Sequence, residues 1–205
     1  MCTFFNRKSA FVALFGGLIF FILSNNVLAD ELSLPSLPSL PSASSATKAP
    51  STKAPRLATL AASIEQDHPA VRHISVAELK GEFKEALLID VRERDEYEMS
   101  HLPGALHANI AADIDALRLK HPDRAMVFYC TVGRRSAVAA EAFVARNPAA
   151  DEPPVVNLAG SIFAWANSGE PLVDAQGPTT EVHPYSFWWG WRYLDADRGK
   201  RPKPP

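Results

Sequence analysis

Between about residue 73 and residue 174 the chain alternates short apolar runs with segments of helical periodicity. Residues 86–90, Ala-Leu-Leu-Ile-Asp, predict a buried strand that delivers Asp90 to a sheet edge. Residues 125–129 predict a second buried strand, running straight into Cys130, and residues 155–158 a further one. The Pro103-Gly104 pair marks a turn, after which residues 105–108 predict a brief strand. Helical signals lie between these runs. Ser75-Val76-Ala77-Glu78 reads as a capping box opening a short helix. Ile110, Ile114, Leu117 and Arg118 follow a helical spacing, residues 136–146 form an alanine-rich helix, and residues 162–167 a short helix closed by Gly169. Strands alternating with helices predict one α/β domain of roughly 100 residues, its mainly parallel sheet covered by helices on both faces.

Two regions before this pattern are of another kind. Residues 30–57 repeat Ser-Leu-Pro three times and continue in Ser, Ala, Thr, Lys and Pro, which predicts an extended, semi-rigid spacer. Ahead of it, Arg7 and Lys8 precede an uncharged apolar run at residues 10–23, and Val27-Leu28-Ala29 supplies small or apolar residues before a cut. These are the parts of a secretory signal cleaved after Ala29, and the run is shorter than the ~20 residues of a membrane-spanning helix. A long spacer right after the signal also suits a stalk, so an uncleaved anchor is the competing reading. The expected plan is 1–29 signal peptide or anchor, 30–57 linker, 58–177 the α/β domain and 178–205 an aromatic and basic extension. The expected location is exported and periplasmic, or membrane-anchored if the signal is retained.

Charge and cysteine content narrow the chemistry. With 21 basic and 23 acidic side chains the formal charge is -2, and it moves to -4 when Arg7 and Lys8 leave with residues 1–29. That argues against a nucleic-acid binder relying on a basic surface. Two cysteines cannot build a disulfide-dense scaffold or a four-thiolate zinc site. Cys2 lies in the leader, so the mature chain holds Cys130 alone and no internal disulfide. The six histidines are scattered without metal-ligand spacing, and no phosphate-binding glycine loop is present, so no cofactor is called for.

Cys130-Thr131-Val132-Gly133-Arg134-Arg135-Ser136 lies between a predicted strand and a predicted helix. Backbone N–H groups in such a turn converge as a nest, and the helix N-terminus adds partial positive charge. A thiolate there is stabilised. Gly133 admits a positive φ, and Arg134 and Arg135 make the mouth cationic. The implied chemistry is a nucleophilic cysteine facing an anion, against the alternative of an inert cysteine ending a core strand.

The segment resembles the active-site loop of the rhodaneses, sulfurtransferases whose superfamily also holds phosphatases. Asp90-Val91-Arg92-Glu93, Glu96-Tyr97 and His101-Leu102-Pro103-Gly104-Ala105 resemble the family's first signature. Leu158-Ala159-Gly160, Trp165 and Gly169-Glu170-Pro171 resemble its closing one. The resemblance implies a rhodanese-like five-stranded parallel sheet flanked by helices, with the cysteine loop at the carboxyl end of the central strand. It also implies a persulfide on Cys130, cradled by Thr131, Val132, Gly133, Arg134, Arg135 and Ser136, formed from a small anionic donor such as thiosulfate and passed to a thiol, cyanide or protein acceptor. Arg134 and Arg135 would attract the donor and stiffen the loop, while Asp90 and Arg92 would support structure. The phosphatase relatives carry a loop one residue longer, which favours sulfur over phosphate. Ser100 and Ser161 stand where glycine is usual, and neither is expected to touch the chemistry.

His183-Pro184-Tyr185 and Phe187-Trp188-Trp189-Gly190-Trp191 crowd aromatic rings near the C-terminus. Val182 to Gly190 resembles an extension seen on other rhodanese-like proteins. Two readings remain: rings folded back to complete the core, or a membrane-surface or partner contact through Trp188, Trp189 and Trp191, helped by Arg198, Lys200, Arg201 and Lys203. The alternative to an enzyme is a binding or thiol redox-sensing module without turnover.

Overall fold

A computed structural model describes residues 53–148 and 153–195. The leader, most of the spacer and the basic C-terminal residues lie outside that range. The elements run α1 (Ala54–Asp67), β1 (Arg72–Ile74), α2 (Val76–Lys80), β2 (Leu87–Asp90), α3 (Arg94–Met99), β3 (Leu106–His107) and α4 (Ala111–Lys120). They continue with β4 (Met126–Tyr129), α5 (Arg134–Arg146), β5 (Val155–Leu158), α6 (Ser161–Asn167), β6 (Leu172–Asp174), β7 (Gly177–Thr179) and α7 (Phe187–Tyr193).

Five strands form one sheet in the order β1-β5-β4-β2-β3, and every pairing is parallel. All four residues of β4 and of β5 are buried, as expected for parallel strands covered on both faces. Side chains of β4 alternate between two apolar layers. Val127 and Tyr129 pack with Leu57 and Ile64 of α1 and Ile162 and Phe163 of α6. Met126, Phe128 and Cys130 pack with Ile114 of α4 and Ala140 and Phe143 of α5. The fold is therefore the α/β sandwich expected, with Cys130 just past the carboxyl end of its central strand.

The capping box at Ser75 is present: its Oγ accepts from the Glu78 N–H at 3.2 Å, and Glu78 Oε2 accepts from the Ser75 N–H at 2.8 Å. Three boundaries are corrected. Residues 54–57, expected in the spacer, are the first turn of α1, with Pro55 at a position where a missing N–H costs little and Leu57 buried. Helix α5 starts at Arg134, two residues before the alanine-rich run. The expected domain end at residue 177 falls inside an antiparallel hairpin, because β6 pairs with β7. Its Asp174 carboxylate accepts from the N–H groups of Gln176 and Gly177, which closes the turn.

Candidate active site

Cys130 follows the last residue of β4 and is 1% exposed, with its thiol free. Three residues on, Gly133 takes φ 109° and ψ -9° and caps α5. An added Cβ would sit 3.4 Å from the Leu158 carbonyl oxygen in a conformation L residues avoid, so glycine is needed there. The turn aims the Gly133 N–H at Cys130 Sγ, 3.2 Å away. The amides of Arg134, Arg135 and Ser136 belong to the first turn of α5, where no helical carbonyl precedes them. Partial positive charge thus gathers at the mouth of the 13-residue helix.

The loop is held from behind. Asn157 Nδ2 donates to the Gly133 carbonyl at 3.1 Å and meets His73 Nδ1 at 3.1 Å. The N–H groups of Ile162 and Phe163 donate to the carbonyls of Cys130 and Thr131, each at 3.2 Å. The Cys130 N–H donates to Ser161 Oγ at 3.1 Å, and that hydroxyl donates to the Leu158 carbonyl at 3.0 Å. Ser161 holds φ 49°, directly after Gly160 at φ 68°. Ser161 thus bonds the cysteine's backbone and not its sulfur, and its role is to position the loop. Ser100 is also buried, and its carbonyl accepts from Arg92 Nη2 at 2.6 Å.

The two loop arginines have different settings. Arg135 donates to both oxygens of Glu96 at 2.7 and 2.8 Å and to Thr131 Oγ1 at 2.9 Å, and Thr131 Oγ1 donates to Glu96 at 3.1 Å. Burial works to raise the Glu96 carboxyl's pKa, but the Arg135 bonds and charge outweigh it and hold that carboxyl below its ordinary value. Arg135 is correspondingly raised, its burial offset by Glu96. Its guanidinium thus stiffens the loop through a buried partner. Arg134 faces Asp67 at 3.4 Å, both half-exposed, and remains at the mouth. Asp90 and Arg92 form a fully buried bidentate pair one strand away, beneath the Tyr129 ring, which supports a structural role.

A cavity of about 120 Å³ opens onto Cys130, Thr131, Val132, Arg134 and Arg135, and its wall is completed by Tyr185 and Trp189. Five expected site residues therefore meet around one space, Gly133 adds its amide, and Ser136 lies buried in the first helical turn. Sequence reasoning missed the roles of Glu96, Asn157, Ser161 and Tyr185. Of the tail rings, Trp189 packs against the core and the cavity, whereas Trp188 and Trp191 are 71% and 59% exposed. Among the described residues no cluster of His, Cys, Asp or Glu is set to hold a metal ion, and no helix is long and apolar enough to cross a membrane.

A parallel sheet that ends its central strand in a cysteine at the head of a helix is the architecture of the rhodanese-like class, and this chain belongs to that family. Residues 75–168 match the rhodanese-like domain. A sulfurtransferase of Allochromatium vinosum is 30% identical over 105 residues, covering 50% of this chain and 92% of that protein. A tRNA sulfurtransferase of Thermoplasma volcanium is 37% identical over 62 residues, which are 30% of this chain but only 12% of that longer protein. Among solved structures, a thiosulfate sulfurtransferase of Pseudomonas aeruginosa aligns with 19% identity and a TM-score of 0.48, over 59% of this chain and 23% of that one.

Proposed function

We propose that this chain is an exported sulfurtransferase that carries sulfane sulfur on Cys130. The observation that carries the reading is the Gly133 N–H on Cys130 Sγ at the head of α5, inside a small cavity with Arg134 at its rim. In the first step the Cys130 thiolate attacks the outer sulfur of thiosulfate. A new S–S bond forms, the donor's own S–S bond breaks, and its electron pair leaves with sulfite. The persulfide left behind is an anion at its terminal sulfur, and the amides of residues 131–136 offer it hydrogen bonds without reorganisation. In the second step an acceptor such as cyanide or a thiolate attacks that terminal sulfur. The Cys130 S–S bond breaks, the sulfur leaves on the acceptor, and the thiolate returns. Storing sulfur covalently between the two half-reactions predicts ping-pong kinetics.

Sulfite departs as a stable anion, so no general acid is required. The rigid Glu96–Arg135 pair supports this division of labour, because it keeps a cation beside the loop without letting it neutralise the persulfide directly. Incubation of the protein with thiosulfate should add one sulfur to the intact mass, and Cys130→Ser should neither gain it nor transfer sulfur to cyanide. Absence of the adduct in the wild type, or full transfer by the serine variant, refutes the reading.

The same proposal places the protein at a membrane surface after export. Phe187, Trp188 and Trp191 are exposed together on α7. Lys53, where the spacer joins the domain, donates to the Leu194 carbonyl just past that helix at 2.5 Å. The first described residue, ahead of α1, therefore lies beside the end of the ring-bearing helix.

A further inference from the structure

The C-terminal segment is built as a strap across the cavity. Val182 and Leu194 are buried in the apolar layer shared with α6. Asn167 Nδ2 donates to the Tyr193 carbonyl at 2.8 Å, and the Asp195 N–H donates to Asn167 Oδ1 at 3.0 Å. With both ends pinned, the stretch between them crosses the mouth. Gly190 lets α7 lie directly on Pro184, since a Cβ there would collide with that ring. Ser186 Oγ caps α7 by accepting from the Trp189 N–H at 3.4 Å. Between these two fixed points Tyr185 is held at φ 62°, a left-handed conformation that a non-glycine residue keeps only where its surroundings impose it.

The result is a row of side chains along one side of the cavity. The Arg135 guanidinium lies 5.0 Å from the Tyr185 ring centre, and Trp189 stands edge-on to Tyr185 with 6.0 Å between centroids. Arg135 is itself anchored by Glu96, so the base of the wall is fixed. The cavity is small and open on one side. A thiosulfate or cyanide ion is much smaller than a tripeptide thiol such as glutathione. Cations at the rim attract compact anions, while the aromatic rings bound the space such an anion can occupy.

Resting on the sulfurtransferase reading, we propose that Tyr185 and Trp189 are specificity-determining residues. They admit compact sulfur anions to Cys130 and turn away glutathione-sized thiols. Access and transfer are measured separately, on the full chain carrying Cys2→Ser so that Cys130 is its one thiol. Access is the ratio of alkylation rates for N-methylmaleimide and N-pyrenylmaleimide, each normalised to its rate with N-acetylcysteine. The wild type should favour the small reagent by about tenfold or more, and Tyr185→Gly, at ease with a positive φ, should remove most of that preference. Tyr185→Phe keeps the ring and should retain it.

In transfer assays Tyr185→Gly should raise the ratio of glutathione to cyanide turnover by about tenfold. Trp189→Ala, opening the other half of the wall, should move both ratios in the same direction. Equal alkylation by the two maleimides in the wild type, or ratios unmoved by Tyr185→Gly, would overturn the proposal. Size discrimination in a protein that transfers no sulfur to cyanide overturns the sulfurtransferase reading instead, and leaves the rings as the gate to Cys130.

Discussion

Glu96→Gln tests the idea that a buried carboxylate, 39 residues before Arg135 in the chain, sets the shape of the cysteine loop. Glu96 is 3% exposed and accepts two bonds from Arg135, one from Thr131 Oγ1 and one from the Glu93 N–H at 3.1 Å. Glutamine preserves the volume but offers only one acceptor oxygen. Placed at the Oε2 position, its NH₂ group then faces two donors, Arg135 Nη1 and the Glu93 N–H. One charge-assisted bond is lost outright, worth about 1.5–3 kcal/mol, and the capping bond is lost with it. Arg135 is a third exposed and can turn partly to water, which recovers some of the cost. A net loss of about 2 kcal/mol follows, which for a domain of this size lowers Tm by about 4–8 °C. The pH dependence carries its own sign. Because the folded-state carboxyl is held below its ordinary value, its contribution is complete above the unfolded value of about 4 and fades as pH falls through the lower folded one. Calorimetry of wild type and variant should therefore show the full gap at pH 7 and a shrinking gap in acid. A gap of under about one degree at pH 7, or one that persists undiminished in acid, refutes the reasoning.

Two further outcomes are expected. Gly133→Ala must place a Cβ at φ 109°, and should lose about 1–3 kcal/mol in urea unfolding together with persulfide formation; a variant of unchanged stability that still takes up sulfur removes the loop argument. Anionic vesicles should shift tryptophan emission to the blue, and Trp188→Ala with Trp191→Ala should abolish the shift; an unmoved wild-type spectrum removes the membrane contact.

What the sequence reveals of this molecule follows the range of the interactions involved. The strands β2, β4 and β5 are legible because a strand buried on both faces must be a continuous apolar run. The capping box at Ser75 and the cradle from Cys130 to Ser136 are legible because each is built from consecutive or nearby residues. Helix α1 escapes because Pro55 continues the proline-rich composition of the spacer, although Leu57 and Ile64 already carry a helical spacing. The edges of the site escape for a different reason: they are made by contacts across the chain. Glu96 reaches Arg135 from α3, Ser161 reaches Cys130 across 31 positions, and Tyr185 lies over Arg135 from beyond the hairpin.

A clue to two of them, Glu96 and Ser161, was still present. An acid that becomes buried beside an arginine-rich loop demands a cation, which is the need Arg135 meets in Glu96. A serine replacing glycine after Gly160 brings a hydroxyl into a buried turn, and a buried hydroxyl needs a partner, here the Cys130 backbone. Both additions act on the loop's position and leave the sulfur itself to the amides. The division is physical: a persulfide needs donors that cost nothing to reorganise, and backbone N–H groups meet that need only if distant side chains hold the loop still. The cysteine and its nest are therefore local in sequence, whereas the parts that immobilise and enclose them are spread along the whole domain.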